Sequence, residues 1–128
     1  MIPKPNTVSI VFYVSDIVRT EAFYRDTLGV EVERREGMEP FWLVGKAGGM
    51  EIIFFQMEAV RGSTPALIFD ISETGGIDDI VAALVEKGVT IVTPVSEAPG
   101  GWSADFLDPD GFGLGLYQSE AKPRSLKK

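Results

Sequence analysis

Carboxylate and phenol side chains occur within strand-like segments of this sequence, where they could carry out acid–base chemistry. Glu51 or Asp70 could accept a proton from a substrate, and Tyr13 or Tyr117 could donate one. The 128 residues include no histidine and no cysteine. These absences exclude a Ser-His triad, a two-histidine iron site, a histidine-based zinc site, disulfides and thiolate metal sites. Any metal ion would have to be held by carboxylates.

Two glycines alternate in the last strand-like segment, "GFGLGLYQ", which follows an Asp-Pro-Asp-Gly turn. Gly113 and Gly115 leave one face of this strand without side chains. Glycine within a strand gives up packing and costs backbone entropy, so the missing atoms call for an explanation. The sequence leaves two explanations open: room for a ligand ring against the backbone, or a side-chain site that has been lost.

Length, composition and charge favour a single acidic globular domain. A chain with 45% hydrophobic residues can bury a core, and a net charge of −7 argues against a nucleic-acid partner. No apolar run approaches the ~20 residues of a membrane helix and no signal peptide is evident, so we expect a cytoplasmic protein without membrane contact. The domain is predicted over residues 1–120, with a flexible basic tail over residues 121–128.

The elements that position these residues begin with a strand over Val8–Val14, whose two faces differ in character. Asp16 is expected to cap a helix that ends before Gly29. The approximate apolar stripe of this helix consists of Ile17, Phe23, Tyr24 and Leu28. Further strands are predicted at Val30–Arg35, Phe41–Val44 and Glu51–Gln56.

The second half of the chain repeats this order. It comprises a strand in "ALIFDIS", an amphipathic helix over Ile77–Lys87, and strands in "VTIVTPV", "SADFL" and "GLGLY". The segment "LGVEVE" after the first helix corresponds to "KGVTIV" after the second. Two βαβββ modules are therefore predicted, at about residues 6–60 and 63–118, with a boundary near Val60–Ser63. Neither module could bury its sheet alone, so we expect an α+β domain with the helices on one sheet face.

Two motifs carry a resemblance to a known family. The stretch "VSDIVRTEAFYRDTLGVEV" and the stretch "FLDPDGFGLGLYQ" resemble the vicinal oxygen chelate superfamily, which includes glyoxalase I, extradiol dioxygenases and the fosfomycin and bleomycin resistance proteins. The resemblance covers about residues 6–118, and both motifs occur in the expected order. It implies tandem βαβββ modules that form a curled mixed-sheet cleft, with the helices on the outer face.

The resemblance also implies four strand positions that hold a divalent metal ion in the metal-dependent members. These members typically place histidine on the first strand of each module and glutamate on the last. The corresponding residues here are Ser9, Glu51, Ala66 and Gly115, of which only Glu51 is a typical ligand. Zinc, iron and nickel usually take three or four protein donors. We therefore expect no metal at the usual site, and no cofactor.

Strand alternation assigns the faces once these four positions are taken to point into the cleft. The expected lining is aromatic and apolar with a few acidic and hydroxyl groups, which suits a planar organic molecule. Trp102, next to flexible glycines, is expected to form a lip over the cleft, while a place in the core or an interface is the alternative for each aromatic. The predicted ligand-binding residues are Ser9, Val11, Tyr13, Glu51, Ile53, Phe55, Ala66, Ile68, Asp70, Trp102, Gly115 and Tyr117.

Three function classes follow from the resemblance. The first, which the absent metal ligands favour, is a metal-free protein of the bleomycin-resistance type that sequesters a planar or cationic aromatic compound, as in antibiotic resistance. The second is a lyase, isomerase or dioxygenase-like enzyme that uses carboxylate acid–base chemistry or an atypical metal site. In the third, aromatic side chains fill the cleft and the protein is a structural or regulatory partner.

The resemblance further implies a homodimer, because members commonly complete their clefts with modules from two chains. Pro3 and Pro5 precede the first strand and would suit a stiff extended arm that exchanges between subunits. An ordinary restrained terminus is the alternative.

Overall fold

Two compact units make up the chain, and each has the predicted βαβββ order. The computed structural model describes residues 2–58, 64–107, 109 and 111–127. The first module comprises Ser9–Ala66, and the second comprises Leu67–Lys128 together with Met1–Val8. The α+β class and the repeated element order are thus confirmed. The predicted boundary at Val60–Ser63 lies outside the described residues.

The first module is built around a sheet in the order β2-β3-β4-β1. Strand β1 runs parallel to β4, and the other neighbouring pairs are antiparallel. A π-helical turn over Phe23–Thr27 follows the single helix. The elements are β1 (Thr7–Val14), α1 (Ile17–Ala22), β2 (Glu31–Arg35), β3 (Trp42–Ala47) and β4 (Met50–Gln56).

The second module has the equivalent order β5-β8-β7-β6, with β5 parallel to β8. Strands β6, β7 and β8 pair antiparallel. The elements are β5 (Ala66–Asp70), α2 (Ile77–Glu86), β6 (Ile91–Ala98), β7 (Gly101–Leu107) and β8 (Gly113–Ser119). Among the residues described, no helix is long and apolar enough to cross a membrane.

Helix α1 begins as its sequence predicts but ends differently. The side chain of Asp16 accepts a hydrogen bond from the Arg19 backbone at 3.1 Å, so the predicted cap is confirmed. The π-helical turn widens the helix to i→i+5 bonds and so changes which residues face the core. Of the predicted stripe, Ile17 is fully buried, whereas Phe23 and Leu28 are 48% and 54% exposed.

Each helix packs on the apolar face of its own sheet. In the first module Ile17, Leu43 and Phe54 are fully buried, and the rings of Tyr24 and Phe54 lie 4.6 Å apart. In the second module the predicted helix positions Ile77, Ile80, Val81 and Leu84 all pack in one cluster with Ile71, Ala104, Phe106 and Leu116. The helix side of each sheet therefore carries a core cluster, while Val11, on the opposite face of β1, is buried as well.

A glutamine at the same place in each module ties the last strand to the start of the helix. The Oε1 atom of Gln56 accepts a hydrogen bond from the Ile17 backbone at 2.9 Å, and that of Gln118 accepts one from the Ile77 backbone, also at 2.9 Å. Backbone N–H groups in the first turn of a helix have no partner within the helix. The glutamines satisfy one such donor at each helix.

An ion pair adds a second fastening in the first module. The Glu21 carboxylate in α1 is buried and accepts two hydrogen bonds of 2.7 Å from the Arg34 guanidinium in β2. These hydrogen bonds lower the pKa of the Glu21 carboxyl below its ordinary value, and burial opposes the shift. The pair therefore fixes the helix against the sheet more firmly when Glu21 is ionised.

The basic tail lies against the second module. The carbonyls of Pro123 and Arg124 accept hydrogen bonds from the backbones of Gly76 and Asp78, each at 2.9 Å. The Arg124 guanidinium also donates to the Asp78 carboxylate at 2.9 Å. These contacts supply acceptors for the first turn of α2, where Gly76 has no capping side chain. Residues 122–126 are thus hydrogen-bonded where the sequence favoured a solvated end.

Replacing Gln118 by alanine is expected to destabilise the protein by about 2–4 kcal/mol, because the buried Ile77 N–H would lose its acceptor and a cavity would form. Gln118 is fully buried and also donates to the Lys122 carbonyl at 2.8 Å, so the tail would loosen too. Urea unfolding measures the change. Gln56→Ala is the matched control: that residue is half-buried, so a smaller loss is expected. An equal loss for both variants would contradict the role assigned to burial.

Candidate functional site

Six of the predicted ligand-binding residues share one face of the first module's sheet. The register of β1 and β4 pairs Ser9 with Glu51, and the next pairs on that face are Val11 with Ile53 and Tyr13 with Phe55. The opposite face carries Phe12 and Phe54, which pack with the helix. The structure therefore brings these six residues together, away from the helix side, because neighbouring side chains in a strand point to opposite faces.

One end of this face is polar. The Ser9 hydroxyl donates a hydrogen bond to Oε1 of Glu51 at 3.1 Å, and Ser9 is only 6% exposed. The hydroxyl thereby orients the glutamate carboxylate, which is itself half-buried. A carboxylate held in one orientation can accept a hydrogen bond from a ligand or pair with a cation.

The other end is an aromatic shelf, defined by Tyr13, Trp42 and Phe55. The rings of Trp42 and Phe55 lie 5.4 Å apart and those of Tyr13 and Phe55 lie 6.5 Å apart. All three side chains are half-buried. The indole N–H of Trp42 donates to the Glu36 carbonyl at 3.0 Å, which fixes the orientation of the ring. The shelf thus offers three neighbouring aromatic rings, and a hydrogen bond holds that of Trp42 in place.

Four more predicted residues share one face of the second module's sheet. The register pairs Ile68 with Gly115 and Asp70 with Tyr117 across β5 and β8. The Asp70 carboxylate accepts a hydrogen bond from the Ser72 backbone at 2.8 Å, so it also caps the end of β5. Ala66 is the first residue of β5 and belongs to the first module.

The space that Gly115 leaves is occupied by its neighbours. A Cβ atom at this position would lie 2.5 Å from Cδ1 of Ile68 and 3.0 Å from Oδ1 of Asp105. The Ala104 carbonyl oxygen would lie 3.3 Å away. Any side chain here would therefore displace Ile68 and press against two oxygen atoms. Glycine at position 115 therefore allows Ile68 and Asp105 to pack closely against the strand.

Asp105 lies on the same sheet face as Gly115, and sequence reasoning did not single it out. It pairs with Gly115 across β7 and β8, is half-buried, and hydrogen-bonds to Thr93. Burial raises the pKa of the Asp105 carboxyl above its ordinary value, and the hydrogen bond with Thr93 opposes that shift. The signal was present in "SADFL", where polar Ser103 and Asp105 alternate with Ala104 and Phe106.

The phenol hydroxyl of Tyr117 forms a hydrogen bond within the protein. Its hydroxyl donates to the Pro99 carbonyl at 2.8 Å. Burial is the main cause that raises the pKa of Tyr117, and the negative charges of Asp70 and Glu120 add to it. The phenol proton is therefore firmly held, which does not favour Tyr117 as a proton donor in catalysis.

Trp102 lies on the other face of its strand from these residues. It pairs with Gln118 across β7 and β8 and packs against the core cluster beneath α2. The Arg124 guanidinium lies 5.4 Å from the ring centre. Regular alternation from Gly101 to Ser103 decides this placement, since it leaves the indole on the helix side. The structure therefore does not bring Trp102 together with the other predicted ligand contacts.

Comparison with known proteins identifies the family. The model of the glyoxalase/bleomycin resistance protein/dioxygenase superfamily matches residues 7–116. The chain belongs to this superfamily. The motifs that suggested the resemblance lie largely within the matched residues, although Asp108 and Asp110 of the Asp-Pro-Asp-Gly turn fall outside the described part of the structure. No curated protein matches the chain significantly.

Three solved structures are similar to this superfamily member, and the first two share its fold. A structure described as NAD-dependent benzaldehyde dehydrogenase from Legionella pneumophila has 20% identity and a TM-score of 0.69, covering 88% of this chain and 99% of that one. A superfamily member from Vibrio splendidus 12B01 has 19% identity and a TM-score of 0.58, covering 88% and 97%. The antibiotic binding protein TnmS3 from Streptomyces sp. CB03234 has 28% identity and a TM-score of 0.39, covering 86% and 92%.

The residues of this superfamily member do not fit the divalent metal of its metal-dependent relatives. Ala66 and Gly115 offer no side-chain donor, and the position of Gly115 is packed by Ile68 and Asp105. Within the described ranges, no three Asp or Glu side chains are grouped so that they could hold a metal ion. Glu51 and the hydroxyl of Ser9 fall short of the three or four donors that such ions usually take.

Because the pKa of Asp105 is raised, the Asp105→Asn variant is expected to gain stability relative to wild type as the pH rises from acid to neutral. In the unfolded chain Asp105 ionises near its ordinary value of 3.8, whereas in the folded protein it ionises at higher pH. Wild type therefore loses stability as the pH rises from about 3.8 through the folded pKa, and the asparagine variant avoids this loss.

Urea unfolding of both proteins between pH 3 and 7 measures the effect. The Glu21→Gln variant is the control with the opposite sign, because the lowered pKa of Glu21 gives wild type an advantage that is lost as the pH falls below 4.5. A difference between Asp105→Asn and wild type that stays constant across this range would show that Asp105 is not a strained carboxyl.

Proposed function

We propose that this protein binds a planar aromatic small molecule on the face of its first module, without a metal ion. The aromatic shelf is the observation that carries the proposal. Three half-buried rings lie on a sheet face away from the helix, at one end of a face whose other end carries the Ser9–Glu51 pair. A few oriented polar groups beside apolar surface are typical of small-molecule sites.

The energetics favour a flat ligand. Aromatic pairs in offset or tilted arrangements contribute about 0.5–1.5 kcal/mol each beyond the effect of the buried area. A planar compound in contact with Trp42 and Phe55 could form two such pairs. Glu51 lies four residues from Phe55 along β4, about 13 Å away, so a cationic or hydrogen-bond donor group at the far edge of the ligand could reach it.

Sequestration is the biological role that this site would serve best. Binding of this kind needs no proton transfer, and it agrees with the loss of donors at the metal positions. The predicted cleft and the homodimer stay expectations of the superfamily resemblance.

An enzyme of the same superfamily is the second candidate, and Asp105 is the observation that favours it. A half-buried carboxyl with a raised pKa is suited to general acid–base catalysis. Elemental analysis of gently purified protein tests the version with an atypical metal site. Stoichiometric zinc, manganese, nickel or iron would overturn the metal-free proposal, and unchanged ligand binding after chelator treatment would support it.

Saturable quenching of Trp42 fluorescence by a planar aromatic compound is expected. The chain contains two tryptophans, Trp42 on the shelf and Trp102 on the helix side of its own sheet. A panel of acridine, ethidium and 2-naphthoate would be titrated into two single-tryptophan proteins. Trp102→Phe, which keeps Trp42, is expected to retain the quenching, because a stacked ligand contacts the shelf indole.

The matched control is Trp42→Phe, which keeps only Trp102 and is expected to show little quenching. The same variant is expected to bind more weakly by calorimetry. Equal quenching in both variants, or none with any member of the panel in wild type, would refute binding of this compound class on the shelf.

A further inference from the structure

One charged donor on the first module's face has no acceptor in the described part of the chain. The Nε atom of Arg35 is buried and finds no hydrogen-bond partner within the residues that the structure describes. The side chain as a whole is 42% exposed, and Nη2 lies 3.4 Å from a Glu33 oxygen, at the long limit of a hydrogen bond. Buried donors are normally satisfied, so an orphaned one on a candidate binding face points to an external acceptor.

The position of Arg35 places this donor beside the aromatic shelf. Arg35 pairs directly with Trp42 across β2 and β3, so the two side chains share a face. The Trp42 ring is fixed by the Glu36 carbonyl and contacts Phe55 on its other neighbour strand. A planar ligand lying against Trp42 and Phe55 would therefore have one edge near Arg35.

Neighbouring arginines show that the orphaned donor is not typical of this chain. Arg34 lies on the opposite face and donates both Nε and Nη2 to Glu21, each at 2.7 Å. Arg25 donates Nε to Asp26 at 2.8 Å. In both cases a carboxylate binds the same edge of the guanidinium, with one oxygen on Nε. In Arg35, no carboxylate of the described residues binds Nε, and Glu33 contacts only Nη2.

We propose that Arg35 recognises a carboxylate on the edge of the planar aromatic ligand, which accepts hydrogen bonds from Nε and Nη2. This inference rests on the proposed function and adds the chemistry of one substituent. The rigid fork of arginine matches a carboxylate bidentately, whereas lysine presents a single charge. Because Nε is buried while the side chain is 42% exposed, the guanidinium would turn away from Glu33 to present Nε, and the long contact with Glu33 would be exchanged for two shorter bonds. Arg35 at one end of the face and Glu51 at the other would orient the ligand.

The test compares 2-naphthoate with its neutral amide, 2-naphthamide, by calorimetry. Wild type is expected to bind the carboxylate at least about tenfold more tightly than the amide, which corresponds to the contribution of one charge-assisted hydrogen bond. In Arg35→Met this preference is expected to fall below about twofold, with amide binding nearly unchanged. Arg19→Met is the control, because it removes the same charge from an exposed helix residue and is expected to retain the preference.

A second variant keeps the proposal testable if Arg35→Met folds poorly. Glu33→Gln removes the anion that competes for Nη2, so it is expected to tighten naphthoate binding and leave naphthamide binding unchanged. Equal affinity for the two probes in wild type would overturn the role of Arg35 while leaving aromatic binding intact. Absence of binding by both probes would overturn the role of Arg35 together with the proposed function for these aromatics.

Discussion

The hydrogen bond from the last strand of each module to the start of its helix is the constraint on which this structure depends. Gln56 is the last residue of β4 and Gln118 is the last but one of β8, and their side chains accept hydrogen bonds from the backbones of Ile17 and Ile77, the first residues of α1 and α2. Both isoleucines are fully buried. A buried helix N-terminus requires an acceptor, and one supplied by the sheet also fixes where the helix begins. In each module the helix thereby covers one sheet face, which becomes part of the core.

When the helix covers one sheet face, the opposite face carries a separate set of side chains. Since side chains in a strand alternate, a helix that covers Phe12 and Phe54 leaves Tyr13 and Phe55 on the opposite side. The first module uses that freedom for aromatic rings and polar groups. In the second module the same freedom is used differently: Ile68 and Asp105 pack over Gly115, and a carboxyl is held half-buried there. Burial raises the pKa of this carboxyl, so its ionised form is unfavourable for folding.

The elements and their faces were largely predictable, but the partners of the site residues were not. Asp16 as a cap and the buried positions of α2 follow from local signals, because they depend on spacing of a few residues. Phe23 and Leu28 were assigned to a buried stripe on the basis of α-helical spacing. A π-helical turn changes that spacing and has no local signal in the sequence. Trp102 was misjudged because the glycines near it suggested a loop, whereas strand pairing extends through Gly101. Asp105 was missed although the alternation in "SADFL" indicated its face.

The sequence by itself determined the repeat, the strand alternation and the absence of histidine, and with them the family and the lack of a usual metal ligand set. These properties depend on residue type and local period, which are visible in one dimension. Only the tertiary structure decided that Asp105 and Ile68 fill the space at Gly115, that Trp42 joins Phe55, and that Nε of Arg35 has no acceptor among the described residues. Such contacts depend on the register between strands, and register is set by the packing of the whole module.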